Sequence, residues 1–149
     1  MSIPIIMLVE DNPGDVALTL RALKKNNIAN EVIVVQDGQE ALDYLFCTGK
    51  YANRGPGGMP CVILLDIKLP KIDGIEVLRR VKSDERTQVI PVVMLTSSKE
   101  EEDVVRSYKL GANSYIRKPV DFDKFAETMK LLGMYWLLMN EPPPTAREK

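Results

Sequence analysis

Histidine does not occur in the 149 residues. Its absence excludes histidine-ligated zinc, Ser–His hydrolysis and any phosphohistidine carried on this chain. Cysteine is scarce. Cys47 and Cys61 stand in neither metal nor redox spacing, so no disulfide framework is expected and the reducing cytoplasm is the default location. Charge of one sign is also missing: 20 Lys and Arg face 21 Asp and Glu, for a net charge of −1. Direct DNA binding, which normally needs a basic excess, is therefore not expected. The N-terminal MSIPIIMLVED has no basic region before its apolar run and meets acids after seven apolar-rich residues, so neither a signal peptide nor membrane insertion is expected.

What is present fits one domain with a core of its own: 45% of residues are hydrophobic and 28% charged, close to the globular average. Short apolar runs alternate with helix-period segments. The runs Ile3–Val9, Glu31–Val35, Cys61–Leu65, Pro91–Leu95 and Asn113–Ile116 read as strands, several without polar alternation, as parallel strands covered on both faces require. Between them lie amphipathic stripes such as Val16, Leu20 and Leu23. Asn12–Pro13, Asp37/Glu40, Asp73/Glu76 and Ser98/Glu101 mark helix starts. Five strand–helix repeats give an α/β fold with a five-stranded parallel sheet and helices on both faces. The expected order is 2-1-3-4-5, the flavodoxin-like, doubly wound arrangement.

The segment VILLDIKLP sets the functional question, because Asp66 ends the most apolar strand. Glu10 and Asp11 follow the first strand, Thr96 the fourth and Lys118 the fifth. All stand at carboxyl ends of strands, and the three acids flank the point where the strand order reverses, the usual ligand crevice of such sheets. Two carboxylates about 4 Å apart repel by roughly 4 kcal/mol at an effective dielectric near 20, so three call for a cation. An oxygen-only set with open positions suits Mg²⁺, with Mn²⁺ as the alternative, and Lys118 and Thr96 can hold phosphoryl oxygens.

MLVEDNPGD, LLDIKLPKIDG, VVMLTSS and SYIRKP together resemble the motifs of two-component response-regulator receiver domains, over about residues 3–139. Thirty residues separate Asp66 from Thr96 and 22 separate Thr96 from Lys118, as in that family. The resemblance implies that Asp66 is the phosphoacceptor, that Asp11 ligates the metal directly, and that Glu10 does so directly or through water. It implies that the Lys68 backbone carbonyl is a further ligand, that Thr96 and Tyr115 form the switch, and that Lys118 pairs with the phosphate. It also implies a cis Lys118–Pro119 peptide. The long loop 48–60 and the fifth helix resemble, more narrowly, stand-alone regulators paired with bacterial phytochrome-type histidine kinases. A phytochrome-like sensor histidine kinase and a downstream protein target are then the expected partners.

Two rival readings share parts of this set. A haloacid-dehalogenase-type phosphatase also uses a strand-end Asp and Mg²⁺, but its second acid falls where Lys68 stands. A receiver-like scaffold that never takes phosphate would not need the full complement. The chain is expected to catalyse its own phosphorylation and slow dephosphorylation without being a turnover enzyme. The expected receiver spans 1–140, with an insertion at 48–60, a proline-rich tail at 141–149 and no output domain. The apolar stretch LLGMYWLLM leaves Met134, Tyr135 and Leu138 as a candidate interface, for a homodimer or another partner.

Overall fold

The computed structural model describes residues 4–25, 30–55, 58–108 and 111–131. Strands β1 (Ile5–Val9), β2 (Glu31–Val35), β3 (Pro60–Asp66), β4 (Val92–Thr96) and β5 (Ser114–Arg117) alternate with helices α1 (Pro13–Lys25), α2 (Gly38–Phe46), α3 (Gly74–Lys82), α4 (Lys99–Tyr108) and α5 (Phe122–Leu131). The strands form one parallel sheet in the order β2-β1-β3-β4-β5. β1 and β3 lie side by side, so the order reverses between them.

The central strands are buried on both faces, which their unbroken apolar sequences require. Side chains alternate along a strand. Met7, Val9, Ile63, Leu65, Val92 and Met94 pack with α2 and α3 on one face; Ile6, Leu8, Val62, Leu64, Val93 and Leu95 pack with Leu23 of α1 and Phe125 and Met129 of α5 on the other. Helix starts carry their caps. Asn12 Oδ1 accepts from Asp15 N at 3.0 Å, Asp37 from Glu40 N at 2.7 Å and Asp73 from Glu76 N at 2.9 Å. Ser98 Oγ accepts from Glu101 N at 3.2 Å. At Asp73 the reciprocal half of the capping box is missing, because the Glu76 carboxylate turns to Arg79 and Arg80 instead.

Three strand ends differ from expectation. β3, β4 and β5 run one residue further, through Asp66, Thr96 and Arg117, because backbone pairing is indifferent to the polarity of the last side chain: Asp66 is in register with Leu95, and Thr96 with Arg117. The described part of the segment 48–60 is also more built than a plain loop. It opens with a 3₁₀ turn over Gly49–Tyr51. Tyr44 meets Tyr51 edge-on at 5.1 Å and donates to Gly58 O at 2.8 Å. The Arg54 guanidinium lies 4.3 Å from the Tyr44 ring centre and donates to Tyr44 O from Nε (3.0 Å) and Nη2 (2.7 Å). Among the described residues, no helix is long and apolar enough to cross a membrane. The candidate interface at Met134, Tyr135 and Leu138 and the segment 141–149 lie outside the described residues.

Candidate functional site

Glu10 follows β1, Asp66 ends β3 and Lys118 follows β5. The alternation that sends Ile6 and Leu8, Val62 and Leu64, and Ile116 to the α1/α5 face carries forward to these three polar residues. They meet over 108 and 52 residues of sequence. Lys118 Nζ lies 3.1 Å from Glu10 Oε1 and 3.2 Å from Asp66 Oδ2. Asp15 Oδ2, from the first turn of α1, completes the set at 3.1 Å. Glu10 and Asp66 are 1% and 4% exposed, so their charge is out of water and depends on this lysine.

Burial is the main reason the Glu10 carboxyl is pushed up to about 7. A hydrogen bond with Asp66 and its charge add to the rise, while the Asn12 N–H and Lys118 pull it back. Burial also opposes the Lys118 charge, but Asp66, Glu10 and Asp15 outweigh it and raise the ammonium above its ordinary value.

Asp11 is exposed at the mouth of the site. One carboxylate oxygen from each of Glu10, Asp11 and Asp66 lies within 4.8 Å of the others. This donor set fits a hard divalent cation: it is all oxygen, it carries excess negative charge, and one member is open to water. Asp11 and Lys68 also line one cleft of about 450 Å³ with Ile67, Leu69, Pro70, Asp73 and Ile75. The Lys68 side chain points outward, 3.6 Å from Glu101. A cavity of about 500 Å³, bounded by Leu45, Phe46, Cys47, Arg54, Gly55, Met59 and Arg86, holds none of these acids.

Thr96 is fully buried, and its Oγ1 has no hydrogen-bond partner among the described residues. A buried orphan hydroxyl costs about 1–3 kcal/mol and needs a reason. Alternation places it on the α2/α3 face with Val92 and Met94, and half-buried Tyr115 packs against that same cluster. Thr96→Val, which removes the orphan at nearly constant shape, is expected to raise stability by about 1 kcal/mol in urea unfolding while the response to phosphorylation is lost. A loss of stability would mean the hydroxyl has an unseen partner. The Lys118–Pro119 peptide is cis, and Lys118 N donates to Thr96 O at 2.7 Å.

Asp15 is the member that sequence reading missed. An acid in the first turn of a helix is read as a dipole partner, and nothing local announces a lysine 103 residues away.

A lysine locked among acids at the carboxyl ends of a doubly wound sheet is the arrangement that the receiver-domain resemblance implies. Residues 6–130 match the family model of the response regulator receiver domain, and the chain belongs to that family. Among individual proteins, the solved structure of the bacteriophytochrome response regulator AtBRR is 57% identical, with a TM-score of 0.87, over 95% of this chain and all of that one. The probable methanogenesis regulatory protein FilR2 of Methanothrix harundinacea is 39% identical over 95% of this chain and 89% of its own length. Response regulator Rcp1 of Synechocystis is 38% identical over 89% of this chain and 88% of its own. The structure of the Mn²⁺-bound form of Rcp1 is 37% identical, with a TM-score of 0.71, over 94% and 99% of the two chains.

Proposed function

We propose that this receiver takes a phosphoryl group onto Asp66 from a phosphohistidine of a sensor histidine kinase, phytochrome-like by its similarity to AtBRR. The observation that carries the reading is Lys118 Nζ at 3.2 Å from an Asp66 carboxylate that is otherwise buried at the sheet's reversal point. An Asp66 oxygen bonds to phosphorus as the P–N bond breaks. The electron pair stays on the donor imidazole, which takes up a proton. Lys118 compensates the added charge. Glu10, Asp11, Asp66 and the Lys68 carbonyl would hold Mg²⁺; Mn²⁺ is a second candidate, since it is the ion bound in the Rcp1 structure. When bound, the ion neutralises charge developing on the phosphoryl oxygens.

Phosphorylation brings roughly −1.5 to −2 charges and new acceptor oxygens. The orphan Thr96 hydroxyl is a ready donor for one of them, and Tyr115 follows it. The output is then a changed surface for a downstream protein, the product of a two-state element biased by a covalent group. The chain catalyses its own phosphorylation and slow dephosphorylation in the cytoplasm and turns over no small substrate. A second copy docking through Met134, Tyr135 and Leu138 is a further part of the proposal. It is supported by their apolar sequence and tested by sedimentation, where a concentration-independent monomer in both phosphorylation states would count against it.

With Mg²⁺ and acetyl phosphate, intact-mass analysis is expected to show one added phosphoryl group on the wild type and none on Asp66→Asn. Equal gain by both, or none by the wild type, overturns the reading. Release of phosphate from small esters at enzyme-like rates would favour the phosphatase alternative.

A further inference from the structure

We propose that Asp15 competes with the phosphoryl group for Lys118 and thereby weakens the phosphorylated state. The proposal rests on the phosphoacceptor reading of Asp66. An ammonium has three N–H bonds to give. Lys118 has three carboxylates around it, Glu10 and Asp15 at 3.1 Å and Asp66 at 3.2 Å. Phosphorylation turns the Asp66 carboxylate into an acyl phosphate and frees one N–H, so the phosphoryl oxygens can engage more of this lysine only if Glu10 or Asp15 lets go.

Burial decides which. The Glu10 side chain is 2% exposed, so releasing it leaves a buried charge without its lysine. The Asp15 side chain is 34% exposed and can exchange Lys118 for water. It also sits in the first turn of a 13-residue helix, where the dipole favours a carboxylate whether or not the lysine is present. Asp15 is not one of the three acids close enough together to share a cation, so it acts through Lys118. It is a positioning residue: it draws Lys118 toward α1 and keeps a like charge beside the arriving phosphoryl group. Exchange moves no proton. One N–H of Lys118 turns from Asp15 Oδ2 to a phosphoryl oxygen, and the freed carboxylate hydrates.

The test is a binding constant, which separates the stability of the phosphorylated state from its rates of formation and loss. Beryllofluoride with Mg²⁺ mimics an acyl phosphate, and ¹⁹F NMR reads its occupancy. Asp15→Asn is expected to bind it about threefold or more tightly than wild type, the scale of one partly exposed charge contact. Asp15→Glu, which restores the carboxylate, is expected to return to the wild-type affinity. The gain in Asp15→Asn is expected to survive about 0.5 M salt, where charges acting at a distance are screened. Equal or weaker binding by Asp15→Asn overturns the inference, as does a gain that vanishes in salt or persists in Asp15→Glu. A wild type that binds no beryllofluoride at Asp66 defeats the phosphoacceptor reading itself, whatever Asp15 does.

Discussion

Gly74→Ala is expected to cost about 3 kcal/mol or more, and to lower the melting temperature by roughly 10 °C. Gly74 opens α3 against the end of β3, and its N–H donates to Ile67 O at 2.8 Å. A Cβ there would press into the Asp66 carbonyl oxygen and lie 2.8 Å from the Ile67 Cα. Both obstacles are backbone, so no side chain can swing aside to relieve the overlap. Either α3 lifts off the sheet or the end of β3 shifts, and the second moves Asp66 away from Lys118. Gly38, which opens α2, meets the same connection further on, with its added Cβ 2.9 Å from the Ile72 Cβ and against the Ile72 carbonyl. Gly38→Ala is expected to destabilise comparably. Thermal unfolding checks both, and a melting temperature within a degree or two of wild type would show that the β3–α3 connection yields easily.

The second large effect is a pH dependence that a divalent ion removes. Burial pushes the Glu10 carboxyl up to about 7, from an ordinary value of 4.5. A carboxyl raised on folding stabilises the native state fully below its unfolded value, and that stability is lost as pH rises through the folded value. The metal-free protein is therefore expected to lose at most about 3 kcal/mol from this group between pH 4.5 and pH 8. A cation among Glu10, Asp11 and Asp66 replaces the proton, so saturating Mg²⁺ is expected to flatten the profile. Mg²⁺ affinity is expected to rise with pH by up to tenfold per unit below about pH 7. Denaturant unfolding across pH, with Mg²⁺ or with chelator, measures this. A metal-free profile that rises through neutral pH would contradict the burial of Glu10.

The fold was legible because the central strands are unbroken apolar runs and because caps such as Asn12–Pro13 announce the helices. Asp66 and Thr96 were legible for a related reason, since each is a polar residue at an abrupt end of such a run; Lys118 follows the mixed segment SYIR and was legible only by its place after the fifth strand and its spacing from Thr96. What the sequence obscured depends on contacts across the fold. Glu10 and Asp11 are neighbours in an acidic pair, yet one is buried against Lys118 and the other faces water. Asp15 looks like an ordinary helix-start acid until β5 brings Lys118 to it. The segment 48–60 is rich in glycine and reads as open loop, because stacking of Arg54 on Tyr44 leaves no periodic trace. The orphaned state of the Thr96 hydroxyl is a property of its surroundings and has no sequence signature.

The central claim is that Asp66 takes the phosphoryl group, and the linkage itself can be mapped. Borohydride reduces an aspartyl phosphate to homoserine, which peptide sequencing by mass spectrometry locates. After incubation with Mg²⁺ and a phosphodonor, homoserine is expected at position 66, and it is expected to be absent with chelator and in Asp66→Asn. Homoserine at another acid, or equal modification without a divalent ion, would contradict the account.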